Sequence, residues 1–354
     1  FRRVLFRSPM SLDSLMALDV GGGTQDLLIW RDGEPLENAV KLVLPSPTQV
    51  VAARIRAARE RGRNVFLHGF LMGGGAMHRA VGQHLAAGLK VWATPEAAAS
   101  LADDLAKVRS QGVEIVAAPP GEAVAVFTTD LDLLALRQAC ALFEVSLPPR
   151  LALAVCDHGY SPGFSNRKFR FQMWERFLAA GGRLADLITG QPDPSLTRFA
   201  ALKEQAPGAL LMDTASAAAW GALEDPTVAQ QAREGVCVVN VGNMHTVAFL
   251  VRGDRVLGIY EHHTGCLDTP TLASQVGRFI RGQLSDDEVF NGQGHGCARL
   301  AEAPQGQDWP VALTGPQRRL AGGLGWRVAA PFGDVMLSGC FGLVAAARAL
   351  EARA

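Results

Sequence analysis

Residues 18–32, LDVGGGTQDLLIWRD, decide the fold prediction for this chain. An apolar strand runs into three glycines, and a second apolar strand follows them. Glycine at such a bend lets backbone amides converge without a Cβ in the way, which forms a concave site that suits phosphate oxygens. Asp19, at the end of the first strand, is placed to hold a hydrated Mg²⁺ bound to the same phosphates. The alternative is a glycine-rich hairpin without a ligand.

A second copy of this unit occurs later in the chain. Residues 239–253, VNVGNMHTVAFLVRG, align with residues 18–32 without gaps, so that Asp19 matches Asn240 and Gly21 matches Gly242. Because self-similarity fixes an architecture rather than one element, we predict two related lobes that each offer one loop to a shared cleft. The residues expected to bind the phosphates are Gly21, Gly22, Gly23, Thr24 and Gln25 in the first loop, and Asn240, Gly242, Asn243 and His245 in the second.

Composition restricts the class of protein. The 354 residues, 48% of them hydrophobic, suffice for more than one core. Lys plus Arg and Asp plus Glu both total 34, so long-range attraction favours neither nucleic acid nor an acidic membrane surface. No apolar run approaches the ~20 residues that a membrane helix needs. The six cysteines lie singly without a CxxC pair, which predicts reduced thiols, no cysteine-bound metal and a cytoplasmic location.

Strands that alternate with helices predict an α/β fold with mixed sheets. Helices are expected over residues 75–88 and 95–109, and RLALAVCDHGY is expected to be a buried strand that ends before Asp157 and His158. We predict a non-native or disordered leader at residues 1–13, with a native start at Met10 or Met16. A first lobe at 14–228, with an inserted segment at about 112–205, and a second lobe at 234–354 complete the predicted organisation.

Several segments resemble the superfamily of actin, heat-shock chaperones and sugar kinases. LDVGGGTQDLLIW is similar to its first phosphate loop, VVNVGNMHTVAFLV to its second, and DTASAAAWGAL to the small-residue helix that connects its lobes. VALTGPQRRLAGGL and GDVMLSGCFGLVAAA, which contain Gly315 and Gly339, are similar to the elements that cover adenosine. The resemblance implies two ribonuclease H-like lobes with mixed sheets flanked by helices, an actin-like ATPase architecture that binds ATP and Mg²⁺.

Two departures from that superfamily affect the expected chemistry. Asn240 stands where an aspartate is common, and Gly242-Asn243 replaces a glycine pair. An amide can still bind a phosphate or a metal-bound water, but it can neither act as a base nor carry negative charge. This weakens the expectation of ordinary ATP hydrolysis or phosphoryl transfer.

A closer resemblance is to a prokaryotic family labelled as pyruvate formate-lyase activating enzyme-like. It rests on DVGGGTQD, MGGGAMHRA, DHGYSPGFSNRKFRF, MDTASAAAWGAL, NVGNMHTVAFL, EHHTGCLDTPTL and GQGHGCA, which together span most of the chain. A radical activating enzyme requires three closely spaced cysteines for its iron–sulfur cluster, and this sequence has no such triplet. We therefore do not expect that activity.

Five histidines lie in polar settings with a glycine within three residues, in the segments DHGY, GNMHT, EHHTG and GQGHG. Histidine suits proton transfer near neutral pH and the binding of divalent metal, although a single loop histidine more often bonds the backbone. Their spacing is not that of a structural zinc site. Arg167 and Arg170 could clamp an anion or lie on a basic surface helix. The residues expected to form a catalytic group are Asp157, His158, Glu261, His262, His263 and His295.

The sequence leaves three functions open. The first is an ATP-dependent phosphotransferase or hydrolase acting on a small metabolite that the sequence does not identify, with Mg²⁺ bridging the phosphates to Asp19. The second is a nucleotide-driven switch or activator that acts on a partner protein with little turnover. The third is a hydrolase of a small amide-like metabolite with an altered nucleotide cleft, which Asn240 favours.

Overall fold

The computed structural model describes residues 13–353. The leader predicted at residues 1–13, including Met10, lies outside this range except for its last residue. Met16 is fully buried within the first strand. In the described residues no helix is long and apolar enough to cross a membrane.

The strands and helices alternate along most of residues 13–353. The strands are β1 (Ser14–Val20), β2 (Thr24–Arg31), β3 (Val40–Pro45), β4 (Val65–Gly69), β5 (Val91–Ala93), β6 (Val113–Ile115), β7 (Val124–Thr128), β8 (Leu151–Val155), β9 (Ile188–Thr189), β10 (Leu210–Met212), β11 (Val236–Val241), β12 (His245–Arg252), β13 (Arg255–His263), β14 (Gly296–Arg299), β15 (Val311–Thr314) and β16 (Arg327–Val328). The α-helices are α1 (Pro47–Glu60), α2 (Gly75–Ala86), α3 (Pro95–Ala99), α4 (Leu105–Ser110), α5 (Leu133–Ala141), α6 (Asn166–Ala179), α7 (Thr197–Gln205), α8 (Thr214–Ala222), α9 (Pro226–Ala232), α10 (Thr269–Arg281), α11 (Asp286–Asn291) and α12 (Ser338–Glu351).

Two six-stranded sheets share the topology of five strands, and each adds one antiparallel edge strand, β9 in the first sheet and β14 in the second. The first has the order β3-β2-β1-β8-β10-β9 and the second the order β14-β13-β12-β11-β15-β16. In each sheet three antiparallel strands are followed by two that run parallel to the first of them: β1 pairs in parallel with β8 as β11 does with β15. This repeated order confirms the predicted α/β fold with two ribonuclease H-like units of mixed sheets flanked by helices.

Both faces of the first sheet are covered, which explains its nearly continuous apolar strands. Successive side chains of a strand point to opposite faces. Leu15 and Ala17 of β1 pack in one core cluster with Phe341 of α12, whereas Met16 and Leu18 pack in another with residues of α7. The second sheet has its own two core clusters.

A third sheet of four parallel strands, β6-β5-β4-β7, lies between β3 and β8 in the chain. The extra module therefore uses residues 65–128, whereas the sequence predicted an insertion at about 112–205. Of the strands within residues 112–205, β6 and β7 belong to this third sheet, whereas β8 and β9 pair in the first sheet. The insertion at about 112–205 and the lobe limits 14–228 and 234–354 stay predictions.

The single helix predicted over 95–109 is wrong, since α3 ends at Ala99 and α4 begins at Leu105. The Asp104 carboxylate accepts a hydrogen bond from the Ala106 amide at 2.8 Å and so caps a new helix. The break has a consequence for the site, because residues 100–103 become a loop that lines the cleft described below.

Helices α8 and α12 cross in backbone contact. A Cβ on Gly221 would lie 1.7 Å from the Ser338 carbonyl oxygen, and one on Gly342 would lie 1.9 Å from that of Ala217. Only glycine fits at both points. Because α8 follows the last parallel strand of the first sheet and α12 that of the second, this crossing joins the two sheets.

Candidate functional site

The loops at the two related strand bends have the same backbone bond. In the first loop the Gly21 amide donates to the Thr24 carbonyl at 2.9 Å, and in the second the Gly242 amide donates to the His245 carbonyl at 2.9 Å. These are the positions that the ungapped alignment pairs. The sequence repeat is therefore a structural repeat down to the hydrogen bond that closes each turn.

Each loop is held from behind by the residue that follows the third strand of its sheet. The Ser46 hydroxyl donates to the Gly22 carbonyl at 3.3 Å, and the Thr264 hydroxyl donates to the Gly242 carbonyl at 2.8 Å. In a trans peptide the N–H points opposite to the C=O. The amides of Gly23 and Asn243 therefore point away from these anchors, as an anion site requires.

The two loops face each other across one cleft of about 480 Å³. A Cβ on Gly22 would lie 2.8 Å from Met244 Cγ, and one on Gly23 would lie 2.5 Å from Asn243 Nδ2. The far wall comes from the extra module, through residues 71–75 and 99–103. Met244 and Asn243 reach across toward the glycine loop, so an anion between the loops would have to displace these side chains.

Asp19 lies at the base of the cleft in a carboxylate cluster. It pairs across the strands with Asp26 and accepts a hydrogen bond from the Thr214 hydroxyl of α8. Burial, together with the nearby Asp26, raises the pKa of Asp19 to about 8. Burial also raises the pKa of Asp26 to about 7, and its Oδ1 has no hydrogen-bond partner. Such a cluster lacks a counter-charge, which a cation would supply.

The second sheet contributes an amide where the first contributes Asp19. Asn240 is 8% exposed, and its Oδ1 would lie 2.6 Å from a Cβ on Gly315. Gly315 has φ of +100°, a conformation that favours glycine. Gly339, at the start of α12, lies under Asp19 instead, since a Cβ there would be 1.9 Å from Asp19 Oδ2. The two glycines assigned to adenosine thus serve different walls of the same cleft.

Four histidines cluster at one end of the cleft, and adjacent strands of the second sheet position three of them. His245 begins β12, its cross-strand partner His263 ends β13, and His295 directly precedes β14. The His245 ring centroid lies 4.7 Å from that of His295 and 5.1 Å from that of His263. The fourth ring belongs to His158, after β8 of the first sheet, and its centroid is 5.0 Å from that of His245.

Glu261 holds this cluster from beneath. Its Oε1 accepts from Arg170 Nε at 2.7 Å and contacts His245 Nδ1 at 2.6 Å, while its Oε2 accepts from Trp174 Nε1 at 2.8 Å. Arg170 also donates to Asp213, the N-cap of α8, at 2.8 Å. Glu261 is fully buried and Arg170 is 3% exposed, so the ion pair bridges the two sheets out of contact with water.

Burial and charge set the protonation of the cluster. Burial would raise the pKa of Glu261, but Arg170 holds it well below its usual range. Burial would lower the pKa of His245, yet its contacts with Cys156 and Glu261 raise it to about 10. Burial lowers the pKa of His263 to about 4 and that of His295 to about 3. At neutral pH one charged imidazole thus lies beside neutral ones.

Comparison with known proteins places the chain in a family. The family model described as "Putative pyruvate format-lyase activating enzyme (DUF1786)" matches residues 72–320. The chain belongs to this DUF1786 family. None of the curated proteins matches the sequence.

Solved structures of low similarity were also found. One is the ethanolamine utilization protein EutJ from Carboxydothermus hydrogenoformans, with 12% identity, a TM-score of 0.31, and coverage of 96% of this chain and 91% of that chain. Another is the Ppx/GppA family member of Aquifex aeolicus, with 11% identity, a TM-score of 0.27, and coverage of 86% and 66%, respectively. A third is acetate kinase from Entamoeba histolytica, with 8% identity, a TM-score of 0.16, and coverage of 69% and 54%.

Most of the predicted site residues of this DUF1786 protein lie in the cleft, although not all of them. The predicted residues that line it are Asp19, Gly21, Gly22, Thr24, Asp157, His158, Asn240, Gly242, Asn243, His245, His263, Gly315 and Gly339. Glu261 and His295 lie directly behind the lining histidines. Gly23 contacts the second loop. Gln25 points away, since its amide donates to the Pro45 carbonyl at 3.0 Å.

Two members of the expected catalytic group have structural positions. His262 alternates with His263 along β13, so it faces the opposite side of the sheet, and its Nδ1 contacts the His263 carbonyl at 3.1 Å. Both carboxylate oxygens of Asp157 accept backbone amides, from Gly159 at 2.8 Å and from Phe199 at 2.9 Å. Backbone groups thus hold both side chains in this structure, and their catalytic roles stay predictions.

Sequence reasoning missed or misjudged several residues of the site. Arg170, considered as an anion clamp or a surface residue, is a buried counter-ion. Cys156 precedes the expected Asp157 and His158, and its Sγ lies 4.0 Å from His245 Nδ1. Thr214 and Asp26 join Asp19 from separate elements. In the sequence, the one indication of such residues is a polar side chain within or beside an apolar segment.

Proposed function

We propose that this DUF1786 protein binds ATP in the cleft, with the phosphates between the two loops, and acts as an ATP-dependent phosphotransferase or hydrolase on a small polar metabolite. One observation carries the proposal: the two turns closed by Gly21 and Gly242 repeat the same hydrogen bond and face each other across the cleft that Asp19 enters. Phosphoryl transfer chiefly needs positioning and charge stabilisation, which opposed backbone donors provide.

The carboxylate cluster fits a divalent cation. Asp19 and Asp26 are adjacent acids with raised pKa values, and Asp26 Oδ1 is buried without a partner. Asp19 would hold Mg²⁺, directly or through water, and the ion would neutralise and orient the phosphates. Thr214 orients the Asp19 carboxylate from α8. Gly315 and Gly339 line the same cleft, and we assign the rest of the nucleotide to these walls.

The histidine end of the cleft supports an enzyme. His158, His245 and His263 line the same cleft as the two loops, and Glu261 holds His245 in one orientation. Imidazoles of different protonation within one cluster suit proton transfer to or from a bound metabolite. Asn240 supplies hydrogen bonds but no base, so we assign the base to a histidine of this cluster rather than to Asn240.

A specific contact also favours the second candidate, a nucleotide-driven switch that acts on a partner protein. Arg170 binds Glu261 on the second sheet and Asp213 beside the first, and the glycine crossing of α8 and α12 joins the same sheets. A change in the angle between the sheets would act on both features. Phosphate release in the presence of candidate metabolites distinguishes the two functions, because a switch turns over little.

The test compares thermal unfolding of the protein with ATP–Mg²⁺, with ADP and without nucleotide. We expect ATP–Mg²⁺ to raise the unfolding temperature, since a ligand that binds only the folded state stabilises it. Gly22→Val should abolish that shift, because its branches occupy the space between the loops. Gly82→Val is the matched control, since nothing lies within 4 Å of a Cβ there. An equal shift in both variants would refute the loop assignment.

A further inference from the structure

A buried histidine without hydrogen-bond partners points to a second function of the cluster. His295 is 1% exposed, and neither of its ring nitrogens has a hydrogen-bond partner. Leaving such a group unsatisfied costs about 1–3 kcal/mol, so nearly all buried polar atoms have a partner. The groups beside its ring are other imidazoles, with centroids 4.7 Å away at His245 and 4.8 Å away at His263.

The ligand atoms of these three residues converge. One nitrogen from each of His245, His263 and His295 lies within 4.8 Å of the other two. Zn–N bonds of about 2.0–2.1 Å in a tetrahedral site place ligand nitrogens roughly 3.3 Å apart. An ion held by these three nitrogens would give His295 the partner it lacks, and its binding would release the proton that His245 carries at neutral pH.

The support around His245 is of the kind that metal-bound histidines have. Its Nδ1 is bound to Glu261 Oε1 at 2.6 Å, which leaves Nε2 for an ion. Metal ligands commonly give their other ring nitrogen to a carboxylate, which fixes the orientation of the ring. Glu261 is itself fixed by Arg170 and Trp174. Three buried side chains, those of Glu261, Arg170 and Trp174, thus hold one imidazole in place.

We propose that His245, His263 and His295 bind a first-row divalent transition metal ion, with zinc the reference case, at the histidine end of the cleft. Imidazole nitrogen is a preferred ligand of zinc, copper, iron and nickel, whereas Mg²⁺ prefers oxygen. The site is therefore chemically distinct from the Mg²⁺ position at Asp19.

The fourth coordination position faces the cleft. His245 and His263 line the cleft, whereas His295 lies behind them. Cys156 and His158 form a second group with His245 whose ligand atoms also lie within 4.8 Å of one another. Three protein ligands and one open position are typical of catalytic zinc, where the ion lowers the pKa of a bound water to about 7. The proposed ion would thus present its reactive face to the metabolite.

The experiment uses the full chain stripped of metal with a chelator and titrated with Co²⁺, which reports imidazole ligation through its visible absorption. We expect one Co²⁺ per chain, displaced by Zn²⁺ and not by excess Mg²⁺. His263→Ala and His295→Ala should each weaken binding at least about 100-fold, since even outer-shell partners contribute 10–100-fold. His78→Ala, at an exposed position on α2, should bind as the unaltered chain does.

Two results would overturn the proposal. One is a Co²⁺ spectrum and stoichiometry that are the same in His263→Ala, His295→Ala and His78→Ala, which would assign the ion to other groups. The other is that the unaltered chain binds Co²⁺ no more strongly than the His263→Ala variant does. Because His263 is only partly buried, its replacement keeps the test independent of a folding defect at His295, and circular dichroism of each variant verifies this. No nucleotide is needed, so failure here would leave ATP binding untouched.

Discussion

Replacing Gly342 by alanine should loosen the joint between the two sheets. The added Cβ would lie 1.9 Å from the Ala217 carbonyl oxygen and 2.7 Å from the Gly221 nitrogen, and both are backbone atoms of a helix that cannot rotate aside. Restoring an ordinary contact requires α8 and α12 to separate by roughly 1.5 Å. Overpacking of this kind costs typically about 1–3 kcal/mol, and rigid backbone on both sides favours the upper end.

The matched control is Gly82→Ala on α2, where a Cβ meets nothing within 4 Å. Alanine gains about 1 kcal/mol over glycine in a helix interior. The Gly82 variant should therefore be more stable than the unaltered protein by up to that amount. The Gly342 variant, after the same gain, should lose about 2 kcal/mol.

Urea unfolding followed by circular dichroism measures both variants. The Gly342 variant should also lose its nucleotide-dependent stabilisation, because α12 carries Gly339 against Asp19. If Gly342→Ala and Gly82→Ala unfold at the same urea concentration, the helices do not cross in backbone contact and the reasoning fails.

Three other predictions concern buried charge. Asp19→Asn should leave the unliganded protein at least as stable, because it removes a buried acid, but should abolish the shift with ATP–Mg²⁺ in thermal unfolding; a retained shift would exclude Asp19 as the metal ligand. Burial would raise the pKa of Asp225, but backbone amides such as that of Ala330 lower it below its ordinary 3.8. The Asp225 carboxylate therefore stabilises the folded protein fully above pH 3.8, and this stabilisation is lost as pH falls through the folded pKa. The destabilisation by Asp225→Ala, about 1–2 kcal/mol at neutral pH, should accordingly shrink in acid, and unfolding curves that show the same difference at every pH would contradict this. Glu261→Gln should cost about 3–5 kcal/mol in urea unfolding, whereas Glu302→Gln, whose partner Arg255 is exposed, should cost under about 1 kcal/mol, and equal losses would place Glu261 outside the buried network.

The sequence predicted the parts of the fold that repeat. The correspondence of Gly21 with Gly242 could be recognised in the amino-acid sequence, because the same turn has glycine at the same position in both sheets. The extra module escaped prediction because parallel strands as short as Val91–Ala93 and Val113–Ile115 leave almost no pattern. Their pairing is decided by contacts between distant segments.

The sequence predicted those site residues whose setting is visible from the residues next to them in the chain. His245 and His263 stand out because glycine and polar residues surround them, and their cross-strand pairing follows from the hairpin. Successive residues of a strand point to opposite faces, so the sequence alone could have placed His262 and His263 on opposite faces of β13. The role of Arg170 could not be predicted, because Glu261 and Asp213 reach it from other elements.

The position of Arg170 affects how the contents of the cleft can leave. Its carboxylate partners, Asp213 and Glu261, lie beside the first sheet and on the second sheet, respectively. If the two sheets move apart, Arg170 can keep its ion pair with only one of them. Opening of the cleft must therefore leave one of these carboxylates without its ion pair, and water or a dissolved ion must solvate it. We expect residence times in the cleft to be long and to shorten as ionic strength rises.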